Sequence, residues 1–150
     1  MQPRFNYREA NPAAFEAMMK FETFARNTGI DHRLYVLIKM RASQINGCAF
    51  CIDMHAKDLL EHGESLDRLL LLTAWRDAPV YTDKERAVLE LTECVTRISE
   101  GGVPDHVYEN VRAHFNEKEY VDLLMAINAI NCWNRISIST GMFPGCFVSG

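Results

Sequence analysis

No apolar run in the sequence approaches the ~18 uninterrupted residues of a membrane span. The first eight residues, Met1-Gln2-Pro3-Arg4-Phe5-Asn6-Tyr7-Arg8, hold no apolar stretch resembling a signal peptide. Both absences point to the cytoplasm. No cluster of Lys or Arg offsets the net charge of -4, so phosphate backbones and anionic lipid meet no broad attraction, and neither nucleic acid nor membrane is an expected partner. No stretch alternates apolar and polar residues between hairpin turns, which leaves no candidate strand. Five cysteines are odd in number and too sparse for a secreted disulfide scaffold. In a reducing compartment a close pair of them is catalytic or metal-binding rather than a staple.

What the chain does contain is 150 residues, 48% of them hydrophobic and 24% charged, enough for one globular domain with a substantial core. Helical patterns fill it. Asn11-Pro12 caps and starts a segment through Phe15, Met18, Met19 and Ala25 that stops at Gly29. Asp31 opens a second, carrying Leu34, Leu37, Ile38, Arg41 and Ile45 up to Gly47. A third runs from Cys48 to about His62, a short fourth from Ser65 through Trp75, and a fifth from the capping-box pattern Thr82-Asp83-Lys84-Glu85 through Ile98. Pro104 starts a sixth to about Phe115, and Asn116 a long seventh through Ile136; beyond Thr140 the chain reads as irregular. Seven helical segments with short connections give an all-α, single-domain multi-helix bundle over residues 1–150.

The chemistry concentrates between Arg41 and His55, where Cys48-Ala49-Phe50-Cys51 is followed by His55. Two thiols three positions apart can close a disulfide across a helical turn, and a His at i+4 from Cys51 lies on the same helix face. A helix start at Cys48 puts both cysteines where unpaired N–H groups and the dipole favour a thiolate. His55 can take or hold a thiol proton, directly or through one water, near neutral pH. Zinc is the chemical competitor, with His62 as a fourth ligand. On a helix, however, Cys48 and His62 stand roughly 21 Å apart along the axis, far beyond one metal's reach. Cys94, Cys132 and Cys146 read as small hydrophobes, and His32, His62, His106 and His114 as ordinary helix residues. Asn128, Asn131, Trp133, Asn134 and Arg135 read as helix-packing or subunit-contact residues.

The stretch from Arg41 to His55, together with Lys39-Met40, Ala126-Ile127-Asn128 and Asn134-Arg135, resembles the carboxymuconolactone decarboxylase superfamily. Within it, the string Ser-Gln-Ile-Asn-Gly-Cys-x-x-Cys-x-x-x-His resembles the alkylhydroperoxidase D-like branch; the decarboxylase branch lacks the cysteine pair. The similarity runs from about Asp31 to Ile138. It implies a cofactor-free, metal-independent peroxidase acting on hydrogen peroxide or organic hydroperoxides, with a dithiol or protein reductant and assembly into trimers or hexamers. It also implies that Cys51 attacks the peroxide, His55 assists its deprotonation, and Cys48 resolves the sulfenic acid. Spacing alone leaves the first sulfur open, since Cys48 is nearer the helix start and Cys51 has the base.

Members of that branch carry a glutamate twelve residues before the first cysteine, where this chain has Val36. Glu93, set among Leu91, Cys94 and Val95, is the main candidate to replace it, because a charge beside an apolar stripe needs a partner; Glu22 and Glu90 follow. Two other function classes fit the same residues: a disulfide carrier between partner proteins, and a non-redox oligomeric scaffold.

Overall fold

Polar side chains start the helices in the computed structural model, which describes residues 1–147. Asn11, Asp31 and Ser65 each accept a hydrogen bond from a first-turn amide, while Thr82 with Glu85 and Asn116 with Glu119 close reciprocal capping boxes. The resulting elements are α1 (Tyr7–Ala10), α2 (Pro12–Arg26), α3 (His32–Asn46), α4 (Ala49–Glu61), α5 (Leu66–Leu71), α6 (Asp83–Thr96), α7 (Asp105–Arg112) and α8 (Glu117–Thr140). There is no strand among the described residues, and no helix is long and apolar enough to cross a membrane.

Helix α3 is the hub, packed against α4, α6 and α8. Its Leu37 and Ile38 are fully buried with Leu59 of α4, Leu89 and Leu91 of α6, and Leu123 and Ile127 of α8. Burying each such side chain contributes about 1.5–3 kcal/mol. Polar groups fasten the same seam: Asn46 donates to Asn131 and Asn134 at 3.0 and 2.9 Å, and Asn134 donates to Ser43 at 3.0 Å. A smaller cluster of Ala42, Cys48, Cys51 and Ile130 sits beyond it, flanked by Phe50 and Trp133.

Among the described residues eight α-helices form where periodicity predicts seven. The additional α1 is a single turn, too short for a repeating pattern, and it holds because Tyr7 is buried edge-on against Phe15 at 5.9 Å. The segment from Ser65 leaves α-geometry at Leu72 for a 3-10 turn ahead of Trp75, α6 stops at Thr96 short of Ile98, and α7 stops at Arg112 short of Phe115. After Thr140 the chain turns through residue 147 as expected, and the rest of that tail lies outside the described residues.

The α3–α4 turn carries the active segment. Gly47 adopts the left-handed conformation with φ 69°, donating to the Gln44 carbonyl, while the Cys48 amide donates to the Ser43 carbonyl at 3.0 Å. A methyl group on Gly47 would meet open space, so only the backbone cost of a left-handed L-residue applies. Gly47→Ala is therefore expected to cost about 1–2 kcal/mol, read as a lower denaturant midpoint at an unchanged slope; an unshifted midpoint would contradict this.

Candidate active site

Because Gly47 ends α3 so abruptly, Cys48 becomes the N-cap of α4 and Cys51 falls in that helix's first turn. Both thiols are free and buried, and their sulfurs lie 2.7 Å apart in hydrogen-bond contact. Contact between the sulfurs is what disulfide closure requires. The Ser137 hydroxyl of α8 stands 3.8 Å from the Cys51 sulfur. The pair shares protons. The hydrogen bond shared with Cys51 pulls the Cys48 thiol down to about 6 against the opposing effect of burial, with smaller help from Ser137 and Asn134. The same bond, followed by burial and the neighbouring charge, holds the Cys51 proton far above the ordinary thiol range. One negative charge thus resides on the pair near neutral pH, with the proton between the sulfurs.

A cavity of about 390 Å³ opens on one side of this pair. Cys51 and His55, one turn apart on α4, both line it, while Cys48 does not. Burial first, then the Lys39 charge, pushes the His55 imidazole down to about 3, so at neutral pH the ring is uncharged and its surroundings oppose protonation. No hydrogen bond joins the ring to either sulfur among the described residues. Tyr7, Phe15, Phe50, Met54 and Trp133 supply apolar and aromatic lining.

Two carboxylates line this cavity, Asp58 of α4 and the buried Glu22 of α2. Glu22 accepts hydrogen bonds from the Tyr35 hydroxyl at 2.9 Å and the Trp133 indole at 3.3 Å, and is in contact with the Lys39 ammonium. Burial draws the Lys39 ammonium down to about 7, against the negative charges of Asp58 and Cys51, and the touching Glu22 carboxylate also favours its charged form. Lys39 in turn stabilises negative charge on the cavity side of the dithiol.

The structure brings Cys48, Cys51 and His55 together and does not bring Glu93 to them. Glu93 is buried between α3, α6 and the segment after α5, where it accepts from the Trp75 indole at 2.8 Å and Arg41 at 3.0 Å and pairs with Arg76. Burial alone would raise its pKa, but these bonds outweigh it and hold the carboxyl below its ordinary value. The partner that its apolar surroundings demand is this arginine and tryptophan set. Val36 is itself core; one turn later, Lys39 reaches the cavity. Sequence reasoning missed Ser137 and Lys39 and ranked Glu22 low. The available signal for Lys39 was a charge inside the apolar stripe of α3. Cys94, Cys132 and Cys146 are half-buried and stand apart from the pair.

Residues 12–93 match the model of the carboxymuconolactone decarboxylase family. The uncharacterized protein YdfG of Bacillus subtilis (strain 168) is 45% identical over 141 residues, covering 94% of this chain and 96% of that protein. A crystal structure of a protein of unknown function from Agrobacterium tumefaciens, provisionally described as the antioxidant defence protein AhpD, superposes with a TM-score of 0.93 at 46% identity, covering 95% of this chain and 99% of that one. The alkylhydroperoxidase AhpD core of an uncharacterized peroxidase-related protein from Ralstonia eutropha JMP134 shares the fold, with a TM-score of 0.80 at 20% identity over 95% of this chain and 76% of that one. With its helical hub, its paired thiols and these relatives, the chain belongs to the carboxymuconolactone decarboxylase family, in the alkylhydroperoxidase D-like branch.

Proposed function

We propose that the protein is a dithiol peroxidase that reduces hydrogen peroxide or organic hydroperoxides through a Cys48–Cys51 disulfide cycle. The observation that carries this is the arrangement of Cys51: its sulfur faces the cavity beside an uncharged His55, and the Cys48 sulfur touches it from behind. Moving the shared proton from Cys51 to Cys48 places the thiolate on the cavity side, where the Lys39 ammonium favours it. The Cys51 sulfur attacks the outer peroxide oxygen, the O–O bond breaks, and the departing alkoxide takes up a proton to leave as an alcohol. Cys51 is then a sulfenic acid. Attack by Cys48 forms the disulfide and releases water, and an external dithiol or protein reductant returns two electrons to the pair. No cofactor enters any step.

His55 stays uncharged beside Cys51 and takes part by hydrogen bonding through water, and Glu22, held by Tyr35, Trp133 and Lys39, fixes the charge balance of the cavity floor. The apolar lining suits the organic part of a hydroperoxide. The proposal includes trimeric or hexameric association of the chain, a cytoplasmic setting, and no nucleic-acid or membrane partner.

Hydroperoxide consumption with a small dithiol as reductant tests the cycle: Cys48→Ser and Cys51→Ser are each expected to abolish turnover, and turnover surviving in the double variant would overturn the proposal. Glu22→Gln is expected to lower kcat/KM by ~10-fold or more. Glu93→Gln is expected to leave that rate unchanged while costing about 1.5–3 kcal/mol of stability, because charged donors lose their acceptor; the reverse pattern would return the relay to Glu93. The shared proton also has a pH signature. Charged and titratable groups line the cavity from α1 (Arg8), α2 (Glu22, Arg26), α3 (Lys39) and α4 (His55, Asp58), yet the Cys48 pKa is set mainly by its sulfur neighbour. Ultraviolet thiolate absorbance should show one thiolate that is present at neutral pH and lost as pH falls through about 6. Absorbance appearing only near the free-thiol value of ~8.5 would contradict it.

A further inference from the structure

The hairpin made by α3 and α4 has a second consequence at its open end. Gly47 turns the chain back on itself, so the first residue of α3, His32, meets the last turn of α4, where Asp58 and the C-cap His62 lie on one face. The His32 Nε2 is 3.2 Å and the His62 Nδ1 2.8 Å from the same oxygen of Asp58, and the two imidazoles lie against each other with centroids 4.3 Å apart. One donor atom from each of the three residues falls within 4.8 Å of the others.

We propose that His32, Asp58 and His62 form a binding site for a zinc-class divalent metal ion. Two imidazole nitrogens and one carboxylate oxygen are a borderline donor set that suits Zn²⁺, Co²⁺ or Ni²⁺, whereas Mg²⁺ and Ca²⁺ require mostly oxygen. In a tetrahedral shell with bonds of ~2.0–2.1 Å, ligand atoms stand about 3.3–3.5 Å apart. Two of the pairs are already at or inside that spacing, and the third closes by small rotations of side chains on the surface. Without an ion, both imidazoles reach one carboxylate oxygen, and the His62 Nδ1 also lies 2.9 Å from the Asp58 backbone carbonyl, a contact that metal binding gives up. With one, each nitrogen offers its lone pair and no proton is needed between them.

The side chains are 37%, 32% and 51% exposed for His32, Asp58 and His62, enough for an ion to enter and for water to take the remaining position. The Cys51 thiol is roughly 10 Å away along the α4 axis and cannot join the shell. Asp58 nevertheless lines the thiol cavity as well, so a bound ion sits at its rim.

Full-length protein carrying Cys48→Ser and Cys51→Ser, which removes the thiols as competing ligands, is titrated with Co²⁺ and then Zn²⁺ under equilibrium dialysis and visible absorption. The expected result is one Co²⁺ per chain with a ligand-field band, displaced by Zn²⁺. Adding His32→Ala or His62→Ala should weaken binding beyond the ~10–100-fold that loss of an outer-shell partner costs. A second readout needs no change at the site: Zn²⁺ should shift the imidazole NMR signals of His32 and His62 and leave those of His106 and His114 in place. Absence of stoichiometric binding, equal binding after either histidine is removed, or unshifted His32 and His62 signals would overturn the proposal.

Discussion

The left-handed turn at Gly47 is the constraint on which the rest depends. By ending α3 within one residue and starting α4 at the next, it puts Cys48 at a helix N-cap with its amide tied back to Ser43 and brings Cys51 into contact with it. A softer connection would let the sulfurs separate and uncouple their protons. The same turn makes α3 and α4 antiparallel neighbours, which is how Lys39 of one and His55 of the other come to line one cavity, and how His32 and His62 meet at the far end.

Burial disfavours the charged form of every group around that cavity, lowering the two bases and raising the two thiols. It strips His55 of its charge and pulls Lys39 towards neutrality while nearby anions resist. Buried charges are tolerable only when paired, and Glu22 supplies that pairing while its remaining oxygen lone pairs are met by Tyr35 and Trp133. The thiols escape the same penalty by sharing one charge across a short contact. Each group's protonation state therefore depends on its neighbours, which is the condition for proton transfer without large rearrangement.

Much of this was legible in one dimension because it is local. The caps at Asn11, Asp31, Ser65, Thr82 and Asn116, the stop at Gly47 and the i+4 spacing of Cys51 and His55 are all set within a few residues, and the structure carries them. Long-range facts were not legible. Glu93 stands in an apolar stripe and does have partners, but they are Arg41, Trp75 and Arg76, brought from other segments. Glu22 lies in the half-polar stretch Lys20-Phe21-Glu22-Thr23, and only the packing of α2 on α8 with the reach of Tyr35 and Lys39 from α3 encloses it. Helix α1 is too short to show a period, and His32 and His62 are thirty positions apart in sequence until the hairpin joins them.

The central claim is that peroxide is reduced at the sulfur facing the cavity. Rapid mixing of the reduced protein with one equivalent of hydroperoxide, quenched over time and read by mass spectrometry with sulfenic-acid trapping, tests it most directly. The account predicts oxidation first at Cys51, followed by the Cys48–Cys51 disulfide in the same molecule. First oxidation at Cys48, or a pair untouched by peroxide that exchanges only with other disulfides, would contradict it.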